Sequence, residues 1–547
     1  MLSILLTFVV LAISTYIIGR AVIIRVYGAD KANCMFGFDS SIVLGLCLVT
    51  VYAGYFSIFA KVSIAAFLIL ILITLICAVY VLKKDNKIFP VFHIREYKIR
   101  YILVIVSILA VTLWTNITPQ HYDTYLYHAQ AIHWIEDYGV VKGLGNLHFR
   151  LAYNSAFMPL QALFSFKCLT GQSLHTVNGF ATGAFVTYLV MTVGKKSRIC
   201  VSDVIKVCSF LYIFYNANHI SSPNTDTCAL LMVLYIFIKW IEITENDKSD
   251  YLQYGFLCVL TVFATSLKLS AGIIVLFAIF PAYWFIKEKK IKYIIGHLVA
   301  GIGIITPYLI RNVIISGYLI YPYEKTGLNF VKWIMPRSIL LSDRAEIVAW
   351  GRGNFDTSRN GEHIWQWIGD WYGGINILWK VVFPIALMAV IVLMVLIVRE
   401  KLWKTDAAKM MAILSAIIGF VFWMLTAPLP RYGVVYMIIL IGVAVGMILN
   451  KVSIKDRTVM AGLGAVIACY LVVFIGYSLY TKPLMGTVLN QADYSNRQTI
   501  SNDVNGYTVY TPVEGDQTGY EPFPSAVNVN NQLCLTGNTI GEGFYNK

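Results

Sequence analysis

The chain is poor in charge. Only 13% of its 547 residues are Asp, Glu, Lys or Arg, against about 25% in an ordinary soluble domain, which excludes a typical soluble enzyme. Its ten cysteines include no CxxC pair and fall mostly in or beside apolar runs. They read as small buried hydrophobes, not as a disulfide framework or a zinc site. Residues 1–18 lack the basic lead and small-residue cleavage site of a signal peptide, so they read as a first helix. No internal repeat or low-complexity tract is evident.

What the chain has instead is apolar sequence, 58% of all residues. It comes in runs of roughly 16–26 residues, long enough to cross about 30 Å of hydrocarbon at about 1.5 Å per residue. Candidate spans lie near 1–22, 39–59, 62–82, 101–116, 174–193, 203–219, 226–243, 252–266, 271–287, 291–310, 377–398, 409–426, 432–449 and 456–480. The segment 155–168 is apolar but short, and stays open as a re-entrant or interfacial helix or the lead-in to the next span.

A formal charge of +14 would suggest nucleic acid in a soluble protein. Here the excess sits in short loops between apolar runs, where positive charge faces the cytoplasm. Placing 83–100, 195–198, 287–292, 399–404 and the loop of Lys451, Lys455 and Arg457 inside is self-consistent, with 244–251 following by alternation although it is net acidic. The segments 117–154, 219–225, 311–376 and the tail after 480 are then outside. The expected fold is an all-α polytopic membrane protein over 1–480, followed by a small extracytoplasmic segment over 481–547. That tail is acid-rich and loop-rich, with a strand expected over 506–513 and packing against the outer loops.

Four of the nine histidines fall in the first outer loop. Asp123 lies just past the fourth span, after Pro119 and amid His121, Tyr122, Tyr125, Tyr127 and His128. A carboxylate there can be a general base, a metal ligand or a cap on the following helix. Helical spacing brings Tyr127 over Asp123 and leaves His128, five residues on, off that face. His133 and His148 follow, and Trp134 and Tyr138 suit interfacial anchoring.

The block from Pro119 to Ser155, with Asp-x-x-x-Tyr-His at its start and Gly-Leu-x-Asn-Leu-His-x-Arg-x-x-x-Asn-Ser at its end, resembles bacterial multi-pass proteins related to the GT-C superfamily. Those are lipid-carrier-dependent glycosyltransferases with an acidic residue in the first extracytoplasmic loop, and Asp123 matches it. The neighbours Tyr122 and Thr124 lack the paired acidic motif of many members, so metal use stays open. Arg311-Asn312 … Gly317-Tyr318 … Tyr321-Pro322 and the Ala-Pro-x-x-Arg-Tyr block ending at Arg431-Tyr432 extend the resemblance, as do 509–516 and 541–544 in the tail. Cys534 is alone where relatives pair cysteines, so the resemblance implies no tail disulfide here.

Other polar groups at the expected outer rim carry double readings. Asp226 fits a helix first turn or a cleft. Lys268 is either a snorkelling lysine or a phosphate ligand. Arginine at 150, 311 and 431 suits phosphate through its planar fork, and the aromatic, acidic loop 320–376 suits a sugar-binding wall or an interfacial helix.

Taken with the resemblance, the expected function is transfer of a sugar from a polyprenyl-phosphate carrier to an extracytoplasmic glycan or glycolipid, in the bacterial cytoplasmic (inner) membrane. The catalytic candidates are Asp123, Tyr127 and His128. The substrate-binding candidates are His121, His148, Arg150, Asn154, Asp226, Lys268, Arg311, Asn312, Tyr321 and Arg431. No metal ligand set or cofactor is assigned, a divalent metal stays open, and the partners are the donor, the acceptor and membrane lipids, without nucleic acid. A polymerase or ligase using a lipid diphosphate needs the same cations. A transporter of lipid-linked glycans would place polar groups through the bilayer depth.

Overall fold

The computed structural model describes residues 1–90, 94–196, 198–246, 250–450, 452–529 and 532–547. Lys451, residues 247–249 of the acidic 244–251 turn and residues 91–93 of the basic 83–100 stretch lie outside the described residues. The chain is mostly helical. Among the described residues, eleven helices are long and apolar enough to cross a membrane.

In chain order the first four are α1 (Leu2–Tyr27), α2 (Phe38–Phe59), α3 (Ile64–Asp85) and α4 (Lys98–Thr115). Two short helices follow, α5 (Ala129–Asp137) and α6 (Phe157–Leu163). Then come α7 (Val177–Thr192), α8 (Val201–Tyr215), α9 (Thr225–Thr244) and α10 (Tyr251–Leu267). The next apolar segment starts as a 3₁₀ helix (Leu269–Ala278) and continues as α11 (Ile279–Lys287), before α12 (Ile291–Ser316). Helices α13 (Arg337–Gly351) and α14 (Ile364–Gly374) form the long loop. The bundle ends with α15 (Ile377–Arg399), α16 (Ala407–Thr426), α17 (Pro430–Leu449) and α18 (Asp456–Thr481).

All fourteen expected spans are helical, but α7, α8 and α10 have only 16, 15 and 17 residues. The loops that adjoin α7 and α9 are themselves buried, with Ser173, His175, Ser221 and Ser222 inside the protein. The ends of α7 and α8 at those loops therefore meet protein and need not reach a headgroup layer. The open question of 155–168 is answered by α6. Seven residues rise only about 10 Å, too little to span, and every one of them is buried.

Burial separates centre from periphery. In α9 and α17, 72% of the most apolar window is inside the protein, against 22% in α3 and 28% in α18. Helices α1 and α2 cross closely through glycines: a Cβ on Gly45 would lie 1.7 Å from the Thr15 carbonyl oxygen, so only glycine permits this approach.

The tail is a loop-rich cap. Strand β1 (Thr499–Val504) pairs antiparallel with β2 (Tyr507–Pro512), and β3 (Leu533–Leu535) with β4 (Phe544–Asn546). The β2 strand falls inside the expected 506–513. The cap sits on the loop after α4: Thr518 and Gly519 N–H groups donate to the Tyr125 carbonyl at 2.9 and 3.0 Å. The same end of the bundle carries the long loop, since Tyr153 and Tyr321 both donate to Asp343. The opposite end carries basic loops tied by Arg20–Asp85, Lys206–Glu242 and Lys239–Asp39 pairs at 2.6, 2.8 and 2.9 Å. Among the described residues all ten cysteines are free, and Cys47, Cys200, Cys228 and Cys258 are buried.

Candidate active site

Three loops converge at the end of the bundle that bears the cap. The first begins at Thr118. Its backbone is fixed by Ser222, whose hydroxyl accepts from the N–H groups of Gln120 and His121 at 2.8 and 2.9 Å. The second, residues 219–224, is held by Asn178, whose amide donates to the carbonyls of Ser222 and Asn224 at 2.8 Å each. The third, before α17, is clamped by two indoles. Trp371 donates to the Pro428 carbonyl and Trp423 to the Leu429 carbonyl, both at 2.8 Å. Pro430 then opens α17, where a missing N–H costs nothing, and Arg431 projects from its first turn.

Asp123 is nearly buried, at 9% exposure. It precedes a helix but makes no capping bond. Its Oδ2 instead accepts from Arg431 Nη2 at 3.2 Å and lies 3.9 Å from His121 Nδ1. Burial pushes its carboxyl up, but the Arg431 charge, with His121 and His128, outweighs this and holds it below the usual carboxylate range. Asp123 is therefore ionised near neutrality.

The chain after Asp123 winds as a π-turn, Thr124–His128, before α5. A π-turn closes i to i+5, so α-helical spacing does not describe how His128 stands to Asp123; the His128 ring lies 6.0 Å from the ring of His121, which itself approaches Asp123. His128 is 1% exposed, and neither ring nitrogen has a hydrogen-bond partner among the described residues. Burial lowers it to about 4 and His121 to about 3, so both rings are neutral at pH 7. The Tyr127 ring stands 4.3 Å from the His128 ring.

Asp226 sits in the first turn of α9, but the cap there is Asn224, which accepts from the Thr227 N–H at 2.8 Å. The Asp226 carboxylate faces the cluster, pairing with Lys268 and lying 3.6 Å from Arg431 Nε and 3.9 Å from His121 Nε2. Lys268 Nζ also lies 3.8 Å from the centre of the Tyr432 ring. Two carboxylates thus balance two cations. A small cavity, ≈ 40 Å³, opens beside them, lined by His121, His219, Asp226 and Arg431 with Tyr212 and Leu231.

The other candidates form a second group. Arg311 is buried and donates to Ser57 Oγ at 2.6 Å and Asn154 Oδ1 at 3.1 Å, with no carboxylate partner among the described residues. Tyr321 donates to Asp343 at 3.0 Å. The Tyr127 and Tyr153 rings, 6.0 Å apart, connect the two groups. Asn312 uses its amide on the Leu319 carbonyl at 2.9 Å, and His148 Nε2 is 3.4 Å from the Leu126 carbonyl. Arg150 stacks on Phe149 at 5.1 Å and makes no ion pair among the described residues.

Sequence reasoning did not select His219, Tyr432, Trp350 or Asp343. The His219 ring is 5.1 Å from His121, Arg431 donates to Tyr432 at 3.2 Å, and the Arg431 guanidinium is 5.6 Å from the Trp350 ring. A histidine in a short polar turn was the available signal for His219. Among the described residues, no group of three or more His, Cys, Asp or Glu is arranged to hold a metal ion.

No curated protein and no solved structure matches the chain. Residues 1–438, which include every residue of the Asp123–Arg431 cluster, match the family described as Domain of unknown function (DUF8201), and the chain belongs to that family.

Proposed function

We propose that the protein is a GT-C-like membrane glycosyltransferase that moves a sugar from a polyprenyl-phosphate carrier to an extracytoplasmic glycan or glycolipid. One observation carries the reading: a buried, ionised Asp123 that makes no capping bond, held by Arg431 beside Lys268 and Asp226 where three loops meet at the bundle end. In this scheme the acceptor hydroxyl oxygen attacks the anomeric carbon. The bond from that carbon to the phosphate oxygen breaks, and polyprenyl phosphate leaves. Asp123 orients the hydroxyl and takes its proton, while Lys268, Arg431 and the uncompensated Arg311 meet the phosphate charge. The sugar inverts in a single displacement.

A second observation supports a lipid donor. An apolar cavity of ≈ 630 Å³ lies among α1, α2, α4, α7 and α9, lined from Phe180 to Thr192 on α7, about 18 Å of helix rise. It shares Leu231 with the polar cavity at Asp226, so a chain bound there would have its end near the cluster. The transport reading expects polar groups through the bilayer depth. The charged residues at the far end, Asp39, Lys206, Lys239 and Glu242, are instead paired with one another.

The test is Asp123→Asn, assayed by release of polyprenyl phosphate from a panel of polyprenyl-phosphate monosaccharides with a crude cell-envelope glycan acceptor. Loss of a positioned base costs about 10²–10⁴-fold, so release should fall by at least that lower bound while donor binding persists. Release near the wild-type rate in the variant, or none from the wild-type protein, overturns the reading.

A further inference from the structure

The long loop contributes a wall to the cluster that the reaction scheme above does not use. Helix α13 is fastened at both ends. Near its start Asp343 accepts from Tyr153 and, at 3.0 Å, from Tyr321, both at Oδ2. At its end a Cβ on Gly351 would lie 2.9 Å from the Ala427 Cα, so the helix is pressed against the turn that carries Arg431. Trp350 reaches over the Arg431 guanidinium, with 5.6 Å from Cζ to the ring centre.

Asp343 and Trp350 are seven residues apart, two helical turns, and so share one face of α13 about 10.5 Å apart along the axis. That face looks toward the cluster at one end and toward Tyr153 at the other. Between them Ile347 is only half-buried, as are Trp350, Tyr153 and Tyr127 across from it. Asp343 is 2% exposed, and its second oxygen, Oδ1, has no hydrogen-bond partner among the described residues. An open acceptor in a buried carboxylate is an unmet demand for a donor. Both neighbouring tyrosine hydroxyls are already committed to Oδ2. A phosphate brings acceptors only and is repelled here. A ligand rich in hydroxyl donors, with an apolar ring face for Trp350, meets both demands.

We propose that the inner face of α13 is the acceptor-sugar wall, where Trp350 stacks on a pyranose ring beside Asp123 and Asp343 takes a hydroxyl of the acceptor's distal part. This rests on the transferase reading for its position in the reaction, but not for its binding chemistry. The ligand class is a neutral saccharide of about disaccharide length, distinct from the lipid-phosphate donor.

The test uses the full chain in lipid nanodiscs and saturation-transfer NMR with three probes: N,N′-diacetylchitobiose, methyl β-lactoside and methyl β-cellobioside. The wild-type protein should bind at least one. Trp350→Ala should weaken that binding about tenfold, on the scale of a lost aromatic contact, and Trp350→Phe should restore most of it. Asp343→Asn should weaken it comparably. Thermal unfolding of each variant checks that it is folded. Binding by none of the three probes, or binding indifferent to Trp350→Ala and Asp343→Asn, overturns the wall. Probe binding through Trp350 in a protein that releases no polyprenyl phosphate keeps the wall and removes the transferase reading. Transfer with an acceptor KM unchanged in both wall variants removes the wall alone.

Discussion

A histidine whose burial outweighs the charges near it stays neutral, and four such rings make this protein sensitive to acid. Burial lowers His121 to about 3 and His128, His148 and His175 to about 4, against about 6.5 in an unfolded chain. Between those values the unfolded state binds more protons, so stability falls as pH falls from about 6.5 toward 4. Each group's slope approaches about 1.4 kcal/mol per pH unit. Glu136 and Asp343 act oppositely. Burial raises both carboxyls above the usual range against hydrogen bonds from Ser165 and Tyr520 in one case and Tyr153 and Tyr321 in the other. They therefore lose stability as pH rises past the unfolded carboxyl range. Burial also lowers His219 and raises Glu245, and Asp123 and Asp137 are held low, so the groups that lose stability on acidification outnumber those that gain it and the net effect is acid destabilisation. The midpoint of thermal unfolding in detergent should drop steadily from pH 7 to pH 5. His148→Gln, which keeps a donor for the Leu126 carbonyl, should flatten that drop; a midpoint indifferent to pH over this range contradicts the buried neutral histidines.

At the scale of elements, the spans were legible because an apolar run bounded by charge leaves few alternatives, and every expected span is helical. The turn after Asp123 was not legible. A π-turn has no sequence signature separate from an α-helix, so α-helical spacing was the wrong measure for His128. Pairing was also out of reach: Asp123 and Arg431 are 308 residues apart, and nothing local links them. The cap was legible in composition but not in its seat. Gln130 makes the densest of several ties, donating to the carbonyls of Gly519, Tyr520 and Pro522 at 3.0–3.1 Å and accepting from the Ser525 N–H at 3.0 Å. Gln130→Ala strands buried groups at about 1–3 kcal/mol without touching the charged cluster. The cap should then become sensitive to limited proteolysis at the β1–β2 turn, with the bundle left whole. A cap as resistant as the wild type's would assign the attachment to the remaining ties, at the Tyr125 and Lys142 carbonyls, Glu136 and Asn146.

For the whole molecule, the proposed transferase reading turns on which end faces out, because polyprenyl-linked sugars are presented on one side of the membrane. The two ends differ in charge as the positive-inside tendency requires: the basic loops gather opposite the Asp123 cluster. Two native cysteines report on this. Cys168 is exposed at the cluster end, beside Lys167, whose Nζ lies 2.7 Å from His133 and 3.1 Å from Asp137. Cys34 is exposed at the other end, between Asn33, which donates to Asp85 at 2.9 Å, and Met35, whose carbonyl accepts from Gln253 at 2.8 Å. In single-cysteine variants that keep only one of these thiols, an impermeant maleimide should label Cys168 in intact cells and Cys34 only after lysis. Both sites lie in short helical turns clear of the spans, so accessibility alone separates them. The reverse pattern would turn the Asp123–Arg431 cluster toward the cytoplasm. On the proposed transferase reading, the acceptor would then have to be a cytoplasmic glycan or lipid, even with every residue contact in the site unchanged.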